Sequence, residues 1–225
     1  MTECAVDEGR VKDDDFWMGL ALEEAAKARR LSPPNPAVGA VIVRDGRVIG
    51  RGFTQQTGGP HAEVMALRDA AARGESVEGA TIYVTLEPCS HWGRTPPCTD
   101  AVIEHGIRRV FVGCLDPNPL VAGKGVQILR NAGIEVETGV CEAECRERNE
   151  VFFHYITQKT PFVVLKYAMT LDGKIAAHTG DSRWVTGEAA RRAFERAEEA
   201  RQSAQRPEGE GKDARGEDAR THERR

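Results

Sequence analysis

Apolar and polar positions alternate along the first 155 residues with two periods, and the switches between them mark the elements. Residues 13–15 offer an N-cap, after which Phe16, Trp17, Leu20, Ala21, Ala25 and Ala28 recur at helical spacing. The Ser-Pro-Pro-Asn-Pro run at 32–36 ends that helix. Residues 38–43 and 48–53 read as two strands around Asp45-Gly46, a two-residue hairpin signal. Residues 61–72 read as a helix, 80–85 and 109–114 as strands, and 99–105 and 126–131 as helices between strands. Residues 134–140 form a fifth strand, 142–157 a helix, and 161–167 the start of a further strand. A hairpin followed by alternating helices and strands predicts an α/β domain, a mixed sheet with helices on both faces.

The pattern stops before the chain does. Residues 195–225 contain no Val, Ile, Leu, Met, Phe, Trp, Tyr or Cys, while 17 of the 31 are charged. Such a segment cannot bury enough apolar surface to offset its chain entropy, so it reads as a disordered charged tail with a helical start over 188–202. The organisation expected is a flexible N-terminus (1–12), a folded domain (13–157), a short further segment (158–194) and the tail (195–225).

Composition narrows the function classes. Thirty-one Lys and Arg against 35 Asp and Glu leave a formal net charge of −4, and aromatic residues are only 6% of the 225. Neither a basic face for duplex nucleic acid nor a base-stacking platform is expected. No run of about 18 apolar residues exists to span a membrane, and the acidic, polar N-terminus lacks the features of a signal peptide. A cytoplasmic protein acting on a small molecule is the expectation, and homo-oligomers remain open. In such a chain the six cysteines, at 4, 89, 98, 114, 141 and 145, point to metal binding or catalysis before a disulfide framework.

Two segments carry the candidate chemistry. His61-Ala62-Glu63 opens a helix after Thr57-Gly58-Gly59-Pro60, and Pro88-Cys89 follows a strand, with Cys98 nine residues on. One imidazole and two thiolates suit Zn²⁺ with a fourth position open, the mark of a catalytic site. Glu63, two residues from His61, does not share its face and is left free to handle protons beside the metal. His-x-Glu followed by Pro-Cys and a second Cys is the pattern of zinc-dependent nucleobase deaminases. The competing readings are a helix-capping His61 with cysteines buried as small hydrophobes, and a structural zinc site completed by His91. Cys141 and Cys145 share a helix face and suit packing better than a second metal, and Cys114 reads as core.

The motifs Asn35-Pro36-Ala37-Val38-Gly39-Ala40-Val41, Pro60-His61-Ala62-Glu63, Thr85-Leu86-Glu87-Pro88-Cys89-Ser90-His91, Gly93-Arg94-Thr95-Pro96-Pro97-Cys98 and Asp116-Pro117-Asn118-Pro119 occur in unbroken order. Together they resemble the deaminase domain of the RibD (RibG) family, bifunctional deaminase–reductases of bacterial riboflavin biosynthesis. The long spacer between Cys89 and Cys98 separates this family from cytidine and tRNA-adenosine deaminases. The resemblance implies a cytidine-deaminase-like, three-layer α/β/α fold with a mixed five-stranded sheet. It implies one Zn²⁺ per chain on His61, Cys89 and Cys98, and Glu63 as proton shuttle. The reaction implied is hydrolytic deamination of 2,5-diamino-6-(5-phosphoribosylamino)pyrimidin-4-one to the uracil analogue. Asn35, His91, Arg94, Thr95, Asp116 and Asn118 match family positions around the substrate. A phosphoribosyl pyrimidine needs a cation and a hydroxyl at its phosphate, which Arg94 and Thr95 supply, and polar acceptors at its ribose, which Asp116 and Asn118 supply. As an ordinary turn, Asp116-Pro117-Asn118-Pro119 needs no ligand. Where many relatives carry a His seven residues before the zinc His, this chain has Thr54.

From residue 165 the motifs Leu165-Lys166-Tyr167-Ala168-Met169-Thr170-Leu171-Asp172-Gly173-Lys174-Ile175-Ala176 and Asp181-Ser182-Arg183-Trp184-Val185-Thr186 resemble the start of the family's dihydrofolate-reductase-like reductase domain. There the positions of Ala168, Ser182 and Trp184 touch NADPH or substrate. The match fades near Arg191, and about 35 residues cannot bury a core of their own. The expectation is a deaminase with a reductase stub: NADPH would bind only a complete reductase domain, and its Gly-rich phosphate turn is missing. Two alternatives stand beside it, a full deaminase–NADPH reductase and a non-catalytic, zinc-stabilised assembly subunit. The missing turn speaks against the first, and Glu63, useless to a scaffold, against the second.

Overall fold

A computed structural model of the protein describes residues 14–119, 121–165, 167, 169–170, 172–176, 178–180 and 187–205. Helix α1 (Asp14–Ala28) precedes the hairpin β1 (Gly39–Arg44) and β2 (Arg47–Phe53). Then come α2 (Ala62–Ala72), β3 (Thr81–Leu86), α3 (Cys98–Glu104), β4 (Arg109–Cys114), α4 (Lys124–Asn131), β5 (Glu135–Thr138), α5 (Glu142–Arg148), α6 (Glu150–Gln158) and α7 (Glu188–Gln205).

The five strands form one mixed sheet in the order β2-β1-β3-β4-β5. β1 runs antiparallel to both β2 and β3, whereas β3, β4 and β5 are mutually parallel. At the hairpin Asp45 and Gly46 both take positive φ, 51° and 68°, as the two central residues of a type I′ turn require. Helices cover both faces. α1 packs on β1, β2 and β3 beside α5, while α2 packs on β1 and β2 and meets α3. These contacts are close because glycine stands at them. A Cβ on Gly39 would lie 2.0 Å from the Ala21 carbonyl oxygen, and one on Gly52 would lie 2.3 Å from that of Ala62. Ile42, Ile82, Val84, Val110, Phe111 and Val112 fill the sheet's centre. Strand alternation sends Tyr83 and Phe111 to one face, where their rings stack at 4.7 Å.

Three expectations differ from what is seen. Residues 142–157 are two helices, broken at Asn149, whose buried side chain is drawn to Ala37. Residues 161–165 are not a strand: none of the five strands pairs with them, and Val163 and Leu165 are about four-fifths exposed. The charged tail expected from Glu195 begins inside α7, which runs to Gln205 rather than stopping at 202. An Ala-, Glu- and Arg-rich stretch has high helix propensity, and Arg192 pairs with Glu188 one turn away.

The register brings the ends of four strands to one edge of the sheet. Gly39 pairs with Phe53 and Leu86 with Cys114, so the segments before β1 and after β2, β3 and β4 emerge side by side. In open α/β sheets ligands bind at the carboxyl ends of the parallel strands, here β3 and β4.

Candidate active site

His61 is the N-cap residue of α2, with extended backbone (φ −80°, ψ 172°). The helix start and the Gly-Gly-Pro turn before it thereby aim the imidazole at the loop after β3. There Cys89 follows Leu86-Glu87-Pro88, and Cys98 opens α3. His61 Nδ1 lies 3.5 Å from Cys89 Sγ and 3.3 Å from Cys98 Sγ. The backbone N–H of Cys98 donates to Cys89 Sγ at 3.3 Å, and that of Thr99 to the Cys89 carbonyl at 3.2 Å. The long spacer thus closes on itself at the two thiols.

These three donors all lie within 4.8 Å of one another and could hold a metal ion. Tetrahedral zinc with Zn–S near 2.3 Å and Zn–N near 2.1 Å separates a sulfur from a nitrogen by about 3.6 Å. The separations found are close to that, and the donor set is one zinc favours, so the residues fit one Zn²⁺. Hydrogen bonding from Cys98, and then from His61, pulls the Cys89 thiol well below its ordinary range against the cost of burial. The Cys98 thiol is pushed up, because it donates to Cys89 and is buried. The thiolate beside it raises His61 in turn.

Glu63 is buried and lies in the first turn of α2. Its carboxyl lies close enough to His61, Cys89 and Cys98 for their charges to act on it. Burial first, and the Cys89 charge second, push its pKa up to about 7. A carboxyl group poised there can take up and release a proton near neutrality.

Six further predicted residues sit on loops that leave the same sheet edge. Asn35 is half-buried in the turn before β1, its N–H donating to the Ser32 carbonyl. His91 and Arg94 are exposed and Thr95 half-buried in the spacer. Arg94 has no ion pair among the described residues and lies against Gly58 of the preceding loop. Asp116 and Asn118 form an Asx turn after β4, with the Asn118 N–H donating to Asp116 Oδ1 at 2.8 Å. Burial raises the Asp116 pKa, and the nearby Glu87 charge adds to it while His91 opposes it. Thr54 is buried, its hydroxyl without a partner among the described residues, and its N–H donates to the Val38 carbonyl. Ala168, Ser182 and Trp184 lie outside the described residues.

Two buried residues at this edge have no role in the sequence reading. Glu87 stands inside a quoted motif, and three backbone N–H groups donate to its carboxylate. Asn149 holds Ala37 by both backbone groups. A glutamate directly after an apolar strand was the available signal for the first; nothing local points to the second.

Comparison with known proteins gives this geometry its place. The model of the cytidine and deoxycytidylate deaminase zinc-binding region matches residues 11–114, and that of the RibD C-terminal domain matches residues 161–204. The riboflavin biosynthesis protein RibD of Aquifex aeolicus is 59% identical over 179 residues, covering 80% of this chain and 49% of its own. Over its deaminase part and the stretch after it, the chain is similar to RibD proteins. RibD of Escherichia coli is 48% identical over 179 residues, 80% of this chain and 48% of its own. A crystal structure from Thermotoga maritima, described as a diaminohydroxyphosphoribosylaminopyrimidine deaminase/5-amino-6-(5-phosphoribosylamino)uracil reductase, superposes with a TM-score of 0.76 at 52% identity. The match covers 81% of this chain and 52% of that one. The mixed five-stranded sheet between helical layers is therefore the cytidine-deaminase-like fold of RibD. The chain spans about half the length of the curated relatives it matches. Among the described residues no helix is long and apolar enough to cross a membrane.

Proposed function

We propose that this chain is a zinc-dependent deaminase of riboflavin biosynthesis. It replaces the 2-amino group of 2,5-diamino-6-(5-phosphoribosylamino)pyrimidin-4-one by oxygen from water, releasing ammonia and 5-amino-6-(5-phosphoribosylamino)uracil. The observation that carries the reading is the buried Glu63 carboxyl set against a His61/Cys89/Cys98 donor cluster. A structural zinc site has no use for such a group.

His61, Cys89 and Cys98 hold the metal, and bound there zinc supplies the Lewis acidity that makes water a nucleophile near neutral pH. Glu63 accepts a proton from the attacking water and delivers one to the departing amine. Burial raises the carboxyl above its ordinary range, which brings its protonated form within reach and lets one group serve both transfers. Burial keeps the proton from exchanging with bulk solvent between the two transfers.

Substrate is held by the loops at the same sheet edge. Arg94 and Thr95 engage the phosphate, for which an exposed guanidinium with no ion pair among the described residues is suited. Asp116 and Asn118 accept from and donate to the ribose hydroxyls, and Asn35 and His91 border the base. The enzyme acts on a small molecule in the cytoplasm, with no nucleic-acid partner. The test is ammonia release from the diaminopyrimidine phosphate, with and without chelator.

A further inference from the structure

The carboxylate of Glu87 ties two parts of the site together. Glu87 follows β3, two residues before Cys89, and its side chain is only 4% exposed. Its Oε2 accepts from the backbone N–H of Gly123 at 2.8 Å and of Asp116 at 3.3 Å, and its Oε1 from that of Val126 at 3.2 Å. Its own N–H donates to the Cys114 carbonyl at 3.0 Å. All four partners belong to β4, the following loop and the first turn of α4. No ion pair compensates Glu87 among the described residues, so the buried charge depends on these N–H groups. Gly125 shows how tightly the pieces fit: a Cβ there would lie 2.1 Å from the Pro88 carbonyl oxygen and 3.2 Å from Glu87 Oε1.

We infer that Glu87 is a positioning residue that fixes the 116–123 loop, and with it Asp116 and Asn118, against the loop carrying Cys89. The inference rests on the substrate reading above, in which Asp116 and Asn118 face the ribose. One carboxylate gathers the N–H groups at both ends of that loop, Asp116 at its start and Gly123 and Val126 at its close. These bonds tie residues 116, 123 and 126 to the segment that leads into Cys89. An ordinary α4 cap would need only the N–H groups of 123 and 126. The Asp116 contact, seven residues earlier in the chain than Gly123, is what couples the cap to the substrate face.

Glu87→Gln in the full zinc-loaded chain is the test, because an amide keeps the shape but turns an NH₂ group toward one of the N–H donors. Zinc content is expected to stay the same. The KM for the diaminopyrimidine phosphate is expected to rise about tenfold with kcat within about threefold, the pattern of lost ground-state positioning. Asp116→Ala should show the same split, and the double variant should be no worse than the worse single one, as for residues acting as a unit. Amide exchange at Gly123 and Val126 should quicken in Glu87→Gln. Additive losses, a fall in kcat at constant KM, or unchanged amide exchange would overturn the assignment. If Glu87→Gln does not fold, Glu87→Asp, with its charge kept and its reach shortened, carries the same expectations. A parent chain that releases no ammonia would sink the substrate reading, while amide exchange would still decide whether Glu87 fixes the loop.

Discussion

Asn149 holds Ala37 by both of its backbone groups: Oδ1 accepts from the Ala37 N–H at 2.7 Å and Nδ2 donates to its carbonyl at 3.2 Å. The two residues are 112 positions apart. The bond pair replaces a strand partner for the segment that leads from Asn35 into β1, and it breaks the helical run at α5/α6. Asn149→Ala leaves a buried N–H and C=O unpaired and should cost about 1–3 kcal/mol in chemical denaturation. An unchanged midpoint would mean that the 35–38 segment is held by something else.

Zinc should depend on each of the three donors. Cys98→Ala removes a side chain that is almost fully buried and sits 3.3 Å from His61 Nδ1. Purified parent protein should carry about one zinc per chain and the variant far less, measured by elemental analysis. Stoichiometric zinc in the variant would remove Cys98 from the ligand set.

Thiol labelling gives an independent reading of the same cluster. After chelation Cys89 should alkylate readily near neutral pH, since its neighbours favour the thiolate. Burial pushes the Cys114 and Cys145 thiols up, so both should stay unlabelled in the folded chain. Zinc should protect Cys89. Equal labelling of Cys89 with and without zinc would contradict the site.

Close packing of the sheet on α2 makes a distant glycine matter to the metal. A Cβ on Gly52 would also lie 2.3 Å from the Ala66 backbone nitrogen, and Ala62 directly follows His61. Gly52→Ala should cost about 1–3 kcal/mol of stability. Because the strain falls on the first turn of α2, zinc affinity should drop with it in a competition titration against a chromophoric chelator. Loss of stability with unchanged zinc affinity would show that α2 yields elsewhere.

Much of this was legible in the sequence because its signals are local. The short apolar, β-branched run over 109–114 predicts β4 with the bounds observed, and Asp45-Gly46 predicts a turn whose two positive φ values are found. The His61, Glu63, Cys89 and Cys98 motifs name residues that the fold does bring together. What was not legible depends on distant partners. Nothing near Asn149 announces Ala37, so residues 142–157 read as one helix. The apolar run at 161–167 reads as a strand, but a strand needs an edge to pair with, and Val163 and Leu165 have none among the described residues. Glu87 looks like any polar residue after a strand until the loop beyond β4 folds back onto it.

Ammonia release from the diaminopyrimidine phosphate by Glu63→Gln, set beside the parent at equal zinc content, tests the central claim most directly. The variant should keep its metal and fold, because an amide fills the same space in the first turn of α2. It can neither accept the proton of the attacking water nor return one to the leaving amine, so turnover should fall by about 10²–10⁴-fold, or roughly 3–5 kcal/mol of barrier. A zinc-replete Glu63→Gln protein releasing ammonia within about threefold of the parent rate would contradict the proton-shuttle role on which the deaminase reading stands.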